Sequence, residues 1–397
     1  MGEMFFRRSG HLCMTKMSKF ALNNSIASLA FAMIGAIWAV YMDSFVHSAV
    51  IVGIVGAFFS LISIISYFLF IPLVEKKDKG TLYFYSILVV LLTYILFAIN
   101  RKFYIFVIVA SVFVVAMALR MMAFGLLVKD NSCKRQLSRN EWIIYTVANL
   151  AYVIGPLIAA FIAGRFGMNS VFTIGAVFLL ISAVLFKLSG IQDGNVTKKV
   201  HDGLIKNFFD FFRSKERRLA YYIRGGITFW WALIYLFVPI YIMRHGLGIK
   251  WVGYFLFSVA VPLVLCEYYF SKVASRNGFR RIFSQGYLLV TVLVFACFFV
   301  SNIYMVLSLL TLASFGMAML EPTTEAYFFD ILKKKECLRY YGPYKTVQDV
   351  GNLLGKLFSA FLLIFLAFEY LFLMFGFFML WMFFLSLRTK KVIENNM

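Results

Sequence analysis

Apolar residues in this chain come in long runs of 19 to 30 positions, separated by short polar stretches rich in Lys and Arg. A helix needs about 20 apolar residues to cross a bilayer. By that ruler the chain holds twelve candidate spans, near residues 20–42, 48–74, 81–99, 103–128, 142–164, 168–188, 219–243, 250–271, 282–300, 303–332, 346–367 and 369–387. The strands of a membrane barrel would be shorter and would alternate, so helix is the state predicted for all twelve.

The basic residues orient these spans. Of 39 Lys and Arg, thirty-one fall on one side, in the N-terminal segment, every second connection and the C-terminal segment. Five, Arg101, Lys102, Arg165, Arg244 and Lys250, fall on the other, and Arg120, Arg224 and Lys356 lie within spans. Basic loops stay cytoplasmic, so both termini are predicted to face the cytoplasm, with the chain in the plasma membrane.

Composition agrees. The chain is 62% hydrophobic and 14% charged, with a mean hydropathy of +0.85, too little polar surface for a soluble domain of 397 residues. The net charge of +21 follows from the loops and does not point to nucleic acid. Cys13, Cys133, Cys266, Cys297 and Cys337 show no metal-like or disulfide spacing, and no cofactor is expected. The first run, 20–42, is too long for a signal peptide and reads as a retained span, with Met14 or Met17 as alternative starts.

The longest internal connection divides the chain into an N-terminal six-helix bundle (1–188), a linker (189–218) and a C-terminal six-helix bundle (219–397). Within the linker, Leu204, Ile205, Phe208, Phe209, Phe211 and Phe212 favour one helical face among basic residues. That pattern suits an interfacial helix on an anionic leaflet or an ordinary linker helix.

The two halves echo each other. Tyr145–Ala160 and Lys345–Ala360 share Thr, Val and Gly in register two hundred positions apart, while Asn149 becomes Asp349 and Pro156 becomes Lys356. Tyr41 and Tyr241, Val52-Gly53 and Val252-Gly253, Asp130 and Asp330, and Arg139 and Arg339 keep the same offset. Parallel six-helix repeats are a transporter architecture.

Four motifs carry a family resemblance. Ala151–Ala160, with Gly155 and Pro156, resembles the GxxxGPxxGG helix-5 motif of the major facilitator superfamily, with Ala for three glycines. Ser271–Arg281, with Ser275, Arg276, Gly278 and Arg280, resembles its GxxxDRxGRR loop, with Ser275 where the motif has Asp. Val74–Gly80 occupies the equivalent first-half loop and ends at Gly80. Arg120 and Gly125 resemble its RxxxG pattern with one residue more between them. The resemblance implies an all-α membrane protein of twelve spans in two pseudo-symmetric halves, with spans 1, 4, 7 and 10 lining a central cavity.

Ionisable residues inside spans are candidates for function. At 1.5 Å per residue Lys356 lies about 15 Å into its span, near the midplane, and is expected to meet an anionic or zwitterionic solute group. Arg120 with Glu321 or Glu325 is expected to form a gate at the cytoplasmic mouth, and Asp349 is a further coupling candidate. Asn149, Tyr152, Ser28, Thr228, Trp231 and Tyr235 are expected to shape the rest of the cavity.

The function expected is secondary transport of a small solute by alternating access, with proton-coupled efflux as the first reading. Uptake or facilitated diffusion of an anionic or zwitterionic solute is the second, and a non-transport membrane protein the third. The chain carries no P-loop, GxSxG or HExxH, so catalysis is not expected. The partners expected are the solute, the lipid bilayer and protons, with the chain as a monomer.

Overall fold

A computed structural model describes residues 5–8, 11–14, 16–130, 137–189, 204–332 and 334–390. With no water in a bilayer core, each span must satisfy its own backbone, and the chain does so with helices. These are α1 (Lys16–Val46), α2 (Ala49–Lys76), α3 (Lys79–Ile99), α4 (Phe103–Asp130), α5 (Leu137–Phe166) and α6 (Met168–Leu188), followed by a short α7 (Leu204–Arg213). The second set is α8 (Lys215–Ala232), a π turn (Leu233–Phe237), α9 (Val238–Arg244), α10 (Ile249–Asn277), α11 (Phe279–Phe298), α12 (Ile303–Asp330), α13 (Lys334–Lys345), α14 (Val347–Phe365) and α15 (Tyr370–Ser386). A small antiparallel hairpin, β1 (Phe5–Arg8) with β2 (His11–Met14), precedes them.

Eleven helical segments among the described residues are long and apolar enough to cross a membrane. The twelfth, α15, has 17 residues, at the lower limit for a span. The twelve-span expectation is met, with two additions. The seventh span is α8 and α9 joined through the π turn, where Val238 N–H reaches back to Leu233 O. Pro239, two residues into α9, has no amide to continue the regular ladder. The loop 333–345 carries a helix of its own, α13.

The chain forms two compact units. Unit 1 is Met1–Tyr41 with Ile62–Val200; unit 2 is Met42–Leu61 with His201–Met397. The early part of α2 therefore groups with the second set of helices, and the linker helix α7 does too.

The sequence echo recurs as contacts inside each unit. In unit 1 a Cβ on Gly155 of α5 would stand 2.6 Å from Ala32 Cβ on α1. In unit 2 a Cβ on Gly355 of α14 would stand 2.8 Å from Ala232 Cβ on α8. Small residues let these helices close on each other. Likewise Tyr41 packs on Phe172 with centroids 4.6 Å apart, and Tyr241 packs on Phe372 at 5.7 Å.

Helix α7 is docked on unit 2. Phe211 is fully buried against Tyr221, Phe328 and Tyr340. Arg217 closes its C-terminal turn, donating from Nε to Phe211 O (3.0 Å) and from Nη2 to Asp210 O (2.6 Å). Arg339 on α13 pairs with the Asp210 carboxylate and donates to Asn207 Oδ1. Phe209 stays on the exposed side.

Candidate functional site

The polar chemistry inside unit 2 gathers on α8, α12 and α14. Arg224 on α8 donates from Nη2 to Glu321 Oε1 on α12 at 3.0 Å, and from Nη1 to Glu321 O and Thr324 Oγ1. The other carboxylate oxygen, Glu321 Oε2, accepts from Trp231 Nε1 at 3.2 Å. Trp231 packs against Tyr235 in a tilted arrangement with centroids 5.3 Å apart. Arg224 and Trp231 sit seven positions apart, two turns along one face of α8, so one carboxylate can serve both. Glu267 on α10, half-buried, lies within electrostatic reach of Glu321 and Arg224.

One turn beyond, Glu325 pairs with Lys345 at 2.9 Å and accepts from the Tyr341 hydroxyl at 2.9 Å. Both carboxylates expected to answer Arg120 therefore have partners inside unit 2. The partner of Glu321 is Arg224, which charge spacing alone did not single out. Its signal was available: Arg224 and Glu321 are both in-span charges, on the seventh and tenth spans.

Lys356 stands at the centre of α14, nine residues from either end, and is half-buried. Its ammonium donates to Ser60 Oγ at 2.9 Å and Gly56 O at 3.3 Å, both on α2. These acceptors are neutral. Asp349, seven residues earlier, is within electrostatic reach.

In unit 1 Arg120 on α4 is 4% exposed. Its guanidinium lies over the Phe31 ring, 4.3 Å from the centroid, with Tyr83 and Phe124 at 6.0 Å. Tyr152, 42% exposed, is within electrostatic reach of Arg120. Asn149 is exposed and Ser28 buried.

Other candidates are structural in their contacts. Thr228 donates to Gly225 O (3.0 Å) and to Val347 O (3.2 Å), tying α8 to α14. Pro156 is buried within α5. Gly278 adopts φ +85°, a left-handed conformation that favours glycine, and its N–H caps α10 at Ala274 O (2.8 Å). It joins α10 to α11, beside exposed Arg276 and half-buried Arg280; Ser275 lies in the last turn of α10, and nothing is described of its side chain. In the first-half loop Gly80 is buried in the first turn of α3, and the cap is Asp78, whose Oδ2 accepts from Thr81 N.

Comparison with known proteins adds the family. A family model described as the Major Facilitator Superfamily matches residues 20–266 and 257–395. No curated protein matches the sequence. Among solved structures, a POT family transporter in complex with a thioalcohol-conjugated peptide superposes with TM-score 0.77 at 12% identity, covering 95% of this chain and 96% of that one. A peptide transporter POT in complex with sulfate gives TM-score 0.75 at 14% identity, over 96% and 94% of the two chains. The human organic anion transporter gives 0.65 at 13% identity, over 93% and 98%. At these identities the likeness is one of fold.

Proposed function

The chain belongs to the Major Facilitator Superfamily and is a multi-pass secondary transporter, not an enzyme, and we propose that it moves a small anionic or zwitterionic solute by alternating access. The observation that carries this reading is Lys356. A lysine at the centre of a span is costly and calls for a partner or a wet cavity. Here the ammonium rests on a carbonyl and a hydroxyl. A solute carboxylate makes a stronger, charge-assisted bond than either and can displace them. Relatives of the same fold were solved with a conjugated peptide and with sulfate, or are named for organic anions, and that range is consistent with an anion-handling site.

Protons are the coupling ion we favour. Glu267 lies within electrostatic reach of the Arg224–Glu321 pair, so with both carboxylates ionised the trio would carry one net negative charge. A proton is the simplest counterion to enter and leave with the cycle. Export is the favoured direction, on the likeness of the α5 Gly155-Pro156 step to the family's exporters. We place the protein in the plasma membrane with both termini cytoplasmic, on the charge asymmetry of the loops.

Reconstitution in liposomes with a pH-sensitive dye tests the reading. Candidate carboxylate-bearing solutes are expected to drive proton movement in the parent. Lys356→Gln is expected to abolish solute movement and Lys356→Arg to retain part of it. Transport by Lys356→Gln at the parent rate would remove Lys356 from the site. Transport without proton movement would leave a facilitator.

A further inference from the structure

Unit 2 answers its in-span guanidinium with a carboxylate, Arg224 with Glu321. Among the described residues of unit 1, no carboxylate answers Arg120. Arg120 is buried, and its Nε and Nη1 have no hydrogen-bond acceptor among the described residues. Nη2 reaches only the Met121 thioether, a weak acceptor, at 3.5 Å. Phe31 covers the face of the guanidinium. That cation–π contact satisfies the plane of the group and leaves its N–H edges unspent.

Two more donors converge there. The Tyr83 hydroxyl lies beside Arg120 and Asn23 yet meets hydrogen-bond geometry with neither. Asn23 Oδ1 accepts from Ser182 Oγ at 2.8 Å, which fixes the amide and leaves Nδ2 without an acceptor. Buried polar groups are ordinarily paired, and an orphaned buried charge is the costliest exception. Four unspent donor atoms on three side chains, one of them cationic, are the complement of an oxyanion.

We propose that Arg120, Tyr83 and Asn23 form an oxyanion-binding site in unit 1, separate from Lys356, that takes a carboxylate or sulfate-like group. It rests on the transport reading only in naming the solute as the natural source of that group. Tyr152 lies within electrostatic reach of Arg120 and of Tyr94, whose own hydroxyl has no partner among the described residues. A purely structural Arg120, held by its rings, would make the opposite prediction on removal.

The test is thermal unfolding of the purified full chain at fixed ionic strength, with chloride replaced stepwise by acetate or sulfate, or with zwitterionic glycine added at constant chloride. The parent is expected to show a saturable rise in melting temperature. Arg120→Gln is expected to lose the saturable part, while the general salt effect common to both proteins remains. In chloride alone Arg120→Gln is expected to melt above the parent, because the orphaned charge is gone. A saturable rise of equal size in Arg120→Gln, or none in the parent, overturns the assignment. If Arg120→Gln does not accumulate, Tyr83→Phe keeps the charge and is expected to need about tenfold more anion for the half-maximal rise; an unchanged midpoint overturns the site. A response to acetate and glycine points to a solute carboxylate as source, and a response confined to sulfate to a free inorganic oxyanion; either supports the site. Lys356→Gln, which tests the transport reading, is expected to keep the rise. Its loss there would move the anion to Lys356 and overturn the Arg120 assignment.

Discussion

At the scale of single residues, the strongest constraints come from the smallest side chains. Gly155 and Gly355 leave no room for a Cβ, since Ala32 and Ala232 stand 2.6 and 2.8 Å from where one would be. Gly155→Leu or Gly355→Leu is expected to destabilise by about 1–3 kcal/mol or more through overpacking, read as a lower melting temperature of the purified protein. The Arg224–Glu321 pair is the opposite kind of constraint. Both side chains are mostly buried, at 16% and 24% exposure. Glu321→Gln alone is expected to cost on the order of 3 kcal/mol by leaving a buried charge. A double-mutant cycle with Arg224→Gln is expected to show coupling of about 0.5–3 kcal/mol, and zero coupling would mean that the pair is not formed. The in-span charges were all legible one by one. Their pairing was not, because depth along a span does not say which face of the helix a side chain leaves from. Arg224 and Glu321 meet through the packing of α8 beside α12.

At the scale of elements, α7 shows how far an amphipathic pattern can be read. The run 204–213 is readable as a helix with one apolar face. Whether that face meets lipid or protein depends on what lies beneath it, here Tyr221, Phe328 and Tyr340 around Phe211. Arg217 and Arg339 lock the helix in place through its last carbonyls and Asp210. Arg217→Ala is expected to raise amide exchange over 204–213 by tenfold or more while α8 beyond Leu219 stays protected, measured by hydrogen–deuterium exchange mass spectrometry. Equal protection in the variant would mean that apolar docking by Phe211 suffices. The π turn in the seventh span had a signal, Pro239, which the apolar run concealed.

At the scale of the whole molecule, two six-helix sets arise from a repeated sequence. The offset of two hundred relates sequence identities and also tertiary contacts, Gly155 with Ala32 and Gly355 with Ala232. The halves then diverge where chemistry is needed, with Pro156 in one and Lys356 in the other. Loop charge predicts the orientation. Single cysteines placed near Lys102 and near Lys206 are expected to label from opposite faces of sealed cells, the first from outside; labelling of both from one face would refute the topology.

The sequence alone determined the membrane class, the span count, the helical state and the family, because bilayer thickness and backbone satisfaction leave few alternatives. It also located the charges along each span, since depth follows from rise per residue. The tertiary structure decided their partners. It gave Glu321 to Arg224 and Trp231, set Lys356 on Ser60 and Gly56, and left Arg120 among rings with donors unspent. The physical reason is that a span's order of residues fixes depth, while rotation and neighbours are set only by packing.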